Sequence, residues 1–304
     1  MATIPCYVNR VREKTPAPDQ RSVRAETLSP AAALVRRHDR DRFQTALFAP
    51  AARREALLAL YAFNYEIARV REGVTQRALG QIRLEWWREN IAAAYDGGPV
   101  RRHPVAEALT AAIREHQLTR NHFNRLIDGR EADFEENPPP ALAALEDYAE
   151  ATSSTLILLA LEVLGVREPA VALVGRDVGI AYALAGLLRA LPLLSAAGRP
   201  IIPADIAVGA GLDPAARQAA HATPALRAAI AEIAASARRH LRSARIRRDA
   251  VPRAALPALL PAVIAERSLT RLRRAANDPF ASALARPDPL QSWRLAVAAL
   301  RRRF

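Results

Sequence analysis

Apolar side chains recur along this chain at three- and four-residue intervals, and proline and glycine cut the pattern into helix-length pieces. Ala49-Pro50 opens the first, from Ala51 to about Arg71, with Leu57, Leu58, Leu60, Tyr61, Phe63 and Ile67 on its apolar side; Gly73 closes it. A second is predicted from Gln76 to Tyr95, stopped by Asp96-Gly97-Gly98-Pro99. A third runs from Pro104 to Gln117, and a fourth from Asn121 to Glu136, ahead of Pro138-Pro139-Pro140. Helix follows over Leu142–Leu164 and Pro169–Leu191, then a short extended connector at Arg199–Pro203. Further helical pieces fall at 223–248, 253–266 and 289–302. No run alternates with period two. The expectation is an all-α, single-domain antiparallel helical bundle over residues 29–304, after a polar leader, 1–28, predicted to be disordered.

Composition narrows this picture. The 304 residues are 51% hydrophobic, enough to bury a large core. The formal net charge is +13 and Lys14 is the only lysine, so the positive charge is arginine and reads partly as genomic bias. What remains is a preference for anionic partners: lipid head groups, diphosphates, acidic protein faces or nucleic acid. Cys6 is the only cysteine, which excludes a disulfide framework within the chain and a thiolate zinc site. No 18-residue run is uninterruptedly apolar, and the leader lacks the apolar stretch of a secretory signal, so the expected location is cytoplasmic or peripheral at a membrane.

Several strings, in order, carry a resemblance: Phe48-Ala49-Pro50, Leu60-Tyr61-Ala62-Phe63, Glu85-Trp86-Trp87-Arg88, His103-Pro104-Val105, Leu126-Ile127-Asp128-Gly129, Gly186-Leu187-Leu188-Arg189 and Gly198-Arg199-Pro200-Ile201-Ile202-Pro203. Together they are similar to the squalene/phytoene synthase superfamily. That resemblance implies the class I isoprenoid (terpenoid) synthase fold, in which two aspartate-rich helices hold Mg²⁺ across an apolar cavity and the metal binds substrate diphosphate. In this chain the first motif should lie at Ala68, Arg69 and Glu72, and the second at Ala190 and Leu194. Only Glu72 among them can ligate a metal, and Pro192 is expected to end or kink the helix that must aim the second pair. Catalytic residues are therefore not expected. The resemblance is stronger to the branch that lacks these aspartates and is similar to mitochondrial complex I assembly factor six. Ala62-Phe63-Asn64-Tyr65-Glu66-Ile67-Ala68, Leu145-Glu146-Asp147-Tyr148-Ala149-Glu150 and Gln291-Ser292-Trp293-Arg294 carry it. It implies a helper in building respiratory NADH:quinone oxidoreductase at the inner membrane, with a complex I subunit or assembly intermediate as partner and no cofactor. The alternative is an active isoprenoid diphosphate transferase using Mg²⁺ on unconventional ligands such as Glu66, Glu72 and Asp128. Nucleic acid is not expected, because the chain is only 5% aromatic and carries no basic-aromatic recognition module.

Other candidates stand beside these. Arg69, Arg71 and Arg189 are placed to meet a diphosphate or a lipid head group, and Trp86, Trp87 and Trp293 a partner. Because Trp86 and Trp87 are adjacent, only one can face the core. Asp128, Glu131, Asp133, Glu135 and Glu136 read mainly as a solvated or ion-paired surface, and Glu72 and Asp128 as the remaining metal candidates. His38 and His103 are expected to cap helices or lie on the surface, and Ser153-Ser154-Thr155 to mark a hydroxyl face or kink. The arginines between Arg238 and Arg248, with Arg301-Arg302-Arg303, read equally as a solvated basic face or an attraction to anionic lipid.

Overall fold

A computed structural model describes residues 28–74, 76–212 and 221–304. The predicted leader, with Cys6, lies outside the described residues except for Leu28. The chain starts as helix sooner than the apolar pattern indicates. Ser29 accepts from the backbone N–H of Ala32 and Pro30 takes the first turn, which opens α1 (Pro30–His38). Asp39 does the same for Arg42 and opens α2 (Arg40–Ala46).

Next come α3 (Ala51–Ala68), α4 (Arg77–Asp96), α5 (Pro104–His116) and α6 (Arg120–Glu131). Gly97 ends α4 with φ of 73°, a left-handed position that glycine takes without strain. The stretch predicted as one helix, 142–164, is α7 (Leu142–Ala149), a π-helical turn at Glu150–Ser154, and α8 (Thr155–Val163). The long α9 (Pro169–Ala196) is followed by α10 (Ala204–Gly209) and α11 (Pro224–Ile246). Then come α12 (Leu256–Leu259), α13 (Pro261–Arg274), α14 (Ser282–Ala285) and α15 (Gln291–Leu300). No strand occurs among the described residues.

The core explains the arrangement. α3 is buried from Ala56 to Asn64 and packs on α1, α5 and α8. Its Phe63 ring sits edge-on to Phe123 of α6 at 5.6 Å and to Trp87 of α4 at 5.2 Å. Full burial of such a ring is worth about 1.5–3 kcal/mol. α9 is the other axis, wrapped by α7, α8, α11 and α13. Its length and apolar composition, with a mean hydropathy of 1.6 over its most apolar 18 residues, would suffice to cross a membrane. Here it serves as the inner helix of a bundle.

The continuation of α9 through Pro192 corrects the expectation that Pro192 ends the helix. Pro192 cannot donate to the carbonyl of Leu188, yet the ladder resumes, with Ala197 N–H donating to Leu193 O at 3.0 Å. Where α9 crosses the π turn, a Cβ on Gly179 would sit 2.3 Å from Ser154 Cα, so only glycine allows this approach. Ser154 Oγ donates to Arg176 O across the same crossing.

α9 is fastened to α11 by charge. Asp177 accepts from Ser243 Oγ at 2.6 Å, pairs with His240 Nδ1 at 2.8 Å, and has Arg247 Nη1 at 3.4 Å. Burial alone would raise the Asp177 carboxyl. The hydrogen bonds from His240 and Ser243, and the charges of His240 and Arg247, outweigh it and hold the group below the usual carboxylate range.

Candidate functional site

A cleft of about 370 Å³ opens between the end of α6, the proline run, α7 and the last turns of α9. Pro138, Pro139, Pro140, Leu145, Leu187 and Ile201 supply apolar wall, and Asp133, Tyr148 and Arg199 supply its polar groups. Asp133 lies in a 3₁₀ turn, Ala132–Phe134, directly after α6, and is buried. Its Oδ1 accepts from Tyr148 Oη at 2.8 Å and from Arg199 Nη2 at 2.6 Å. Arg130 Nη1 is 3.6 Å from Asp133 Oδ2 and donates to Tyr148 Oη at 3.0 Å, while Arg130 Nη2 reaches Asn64 Oδ1 on α3. Burial pushes the Tyr148 hydroxyl up to about 12, so it stays protonated and keeps donating at neutral pH.

Two guanidinium groups and a phenol thus occupy one carboxylate. Such a group orients and stabilises; it has little capacity left for a cation. Asp133 therefore departs from the surface reading of the acidic cluster, whose other members fit it. Asp128 and Glu131 pair with Arg88, and Glu135 with Arg77. Of the network, only Asp133 stood out as a candidate in the sequence. Asn64, Tyr148 and Arg199 lie inside strings that carry the family resemblance, which was the available signal; Arg130 had none.

The positions aligned with the aspartate motifs lie elsewhere. α3 ends at Ala68, three residues before its predicted end, so Arg69, Arg71 and Glu72 belong to a turn rather than to an aiming helix face. Hydrogen bonds from Glu72 N–H and Gly73 N–H to Arg69 O close that turn. Arg69 pairs with Glu66 at 3.4 Å and lies over the Tyr65 ring. Ala190 and Leu194 are half-buried near the end of α9. Arg189 donates to Asp41 of α2 at 3.0 Å. Arg69 borders a depression with Trp86 and His103, whereas Arg189 borders others against α13. The structure does not bring these two arginines to one cavity.

The Mg²⁺ that the family implies was tested against this donor set, and the residues do not fit it. Among the described residues, no three His, Cys, Asp or Glu side chains converge on a cation-sized position. Glu72 is exposed beyond α3, and Asp128 is engaged by Arg88.

The tryptophans separate as well. Trp87 is buried against Phe63 and cannot meet a partner, which corrects its place among partner-facing residues. Trp86 is half-buried, edge-on to Trp87 and His103. Trp293 is exposed. His103 sits at the N-cap position of α5 without a side-chain capping hydrogen bond, and His38, the last residue of α1, is exposed and stacks on Tyr65 at 4.5 Å. The basic face expected on α11 is partly internal: Arg238 donates to Leu269 O, and Arg245 to Phe304 O and Glu266.

The fold is an all-α bundle of the isoprenoid synthase type, as its likeness to solved structures shows, with a saturated polar network at its cleft. Residues 35–301 match the squalene/phytoene synthase family, and the chain belongs to it. It is 31% identical over 271 residues to "NADH dehydrogenase (ubiquinone) complex I, assembly factor 6" of Rattus norvegicus, covering 89% of this chain and 81% of that one. The Homo sapiens protein of that name is 31% identical over 268 residues, covering 86% and 80%. A presqualene diphosphate synthase of Rhodopseudomonas palustris is 27% identical over 187 residues, covering 60% of this chain and 66% of that protein. The fold is similar to squalene synthase HpnC from Alicyclobacillus acidocaldarius, with a TM-score of 0.74, 22% identity, and coverage of 82% of this chain and 94% of the other.

Proposed function

We propose that this protein is a non-catalytic member of the squalene/phytoene synthase family that assists assembly of respiratory complex I at the inner membrane. Its partner would be a complex I subunit or assembly intermediate. The observation that carries the reading is the alignment with assembly factor 6 proteins over most of both chains. Its structural support is that the metal-motif positions hold Ala68, Ala190 and Leu194, with Arg69 neutralised beside Glu66. On this reading no cofactor is needed, and the cleft above Asp133 and Tyr148 holds helices in register or takes up a small amphipathic group.

The test is a deletion strain assayed for assembled NADH:quinone oxidoreductase in its membranes, with isoprenoid products profiled from the same cells. Loss of the assembled complex with isoprenoids intact is expected. An intact complex with a missing isoprenoid product would overturn the reading.

A second reading, an active prenyl diphosphate transferase, draws on the presqualene diphosphate synthase match and on the retained polar cleft. It requires Mg²⁺-dependent consumption of farnesyl diphosphate by the purified chain.

A further inference from the structure

α15 is apolar on the side away from its buried residue. α15 buries a single residue, Leu295, against α13, and yet carries Trp293, Val297 and Leu300 at i, i+4 and i+7. Trp293 is 68% exposed and Leu300 85%. Ile246, the last residue of α11, is 81% exposed. The ends of these two helices are tied together: Arg245 Nε donates to Phe304 O at 3.1 Å, and the Phe304 ring is buried. Burial of Phe304 holds Arg301, Arg302 and Arg303 at the surface, as does Arg303 N–H donating to Ala298 O. Arg242 and Arg248 extend the exposed basic rim from α11. The acidic groups here are paired: Glu266 with Arg245, Asp249 with Arg248, and Asp288, just before α15, with Arg267 and Arg294.

We infer that the outer face of α15, with Ile246 and the arginines around it, is a docking surface for an anionic lipid bilayer. A short helix presenting tryptophan and aliphatic side chains outward, flanked by arginine, has the composition of an interfacial helix. Arginine stems lie along apolar surface while the guanidinium reaches the phosphate level. The charge selects among occupants. A second copy would set the arginine rims against each other, whereas anionic head groups neutralise them, each adding an attraction screened by salt. The inference goes beyond the assembly role, which supposes work at a membrane without saying which face meets it, and its test needs only the purified chain.

The full-length protein is floated with phosphatidylcholine vesicles, with and without phosphatidylglycerol. Binding only to the anionic vesicles is expected. Exchanging Arg301, Arg302 and Arg303 together for Gln should weaken it roughly a hundredfold. Leu300→Glu and Trp293→Glu should each weaken it about tenfold; both sites are exposed, and unchanged thermal melts would show intact folding. Of the three tryptophans, Trp86, Trp87 and Trp293, brominated acyl chains should quench only the emission that Trp293→Phe removes. Three results would overturn the inference: no flotation of the folded chain, equal binding to neutral vesicles, or binding unaffected by Leu300→Glu. Self-association that Leu300→Glu abolishes, without lipid binding, would assign the face to a second copy instead.

Discussion

Two regions of this bundle have fared differently. In the cleft, Asn64, Arg130, Asp133, Tyr148 and Arg199 join α3, α6, α7 and the connector after α9 into one hydrogen-bonded unit. At the turn after α3, Arg69, Arg71 and Glu72 are solvent-facing or half-exposed and hold almost nothing together. The first region is costly to change because each buried group depends on the others. The second is free to vary because water already solvates its charges. Polar groups that brace the fold cannot be removed without cost, whereas exposed charges that hold little together can be replaced without unfolding the chain.

That contrast can be broken by substitution. Asp133→Ala leaves Arg199, Arg130 and the Tyr148 hydroxyl without their acceptor, and should cost about 3 kcal/mol, read from urea unfolding. Should it cost no more than a surface change, the network is not a brace. Gly179→Ala drives a methyl into the Ser154 backbone and should cost about 2 kcal/mol by the same measurement.

The α9–α11 fastening sharpens the comparison through pH. The Asp177 carboxyl sits below its ordinary value of 3.8, so its contribution is present at neutral pH. That contribution is lost as pH falls through the ordinary carboxylate range and below, where the unfolded chain takes up the proton first. The unfolding midpoint should fall between pH 5 and 3 by less in Asp177→Asn than in the parent, judged against the same chain at pH 7. Smallest of all, Arg69→Ala removes an exposed ion pair and should change stability by about 0.5 kcal/mol or less.

How much of this was legible in the sequence follows the same division. Proline and glycine punctuation located most of α3 to α9, because those residues act on the backbone locally. The opening Ser29-Pro30 was equally local and was passed over, which is why α1 and α2 had no place in the segmentation. Pro192 misled as a helix end: proline removes one backbone hydrogen bond, and α9 continues past it to Ala196. The aspartate positions were readable as residue types, but whether their neighbours form a helix face was not, since α3 frays at Ala68. Asp133 and Arg199 lie 66 residues apart, and no periodicity links them. Nor could the pattern say that Trp87 faces inward and Trp86 sideways, beyond the fact that both cannot be core.

The π-helical turn at Glu150–Ser154 has a consequence for inheritance. Its hydrogen bond from Thr155 N–H to Glu150 O encloses one residue more than an α turn does. Deleting one residue there would let an unbroken α-helix form, and α7 would rotate by about 100° relative to α8. Tyr148 would swing out of the cleft and Asp133 would lose its phenol. An inherited deletion at this turn would therefore misplace Tyr148 at once, whereas side-chain substitutions leave the register of α7 unchanged.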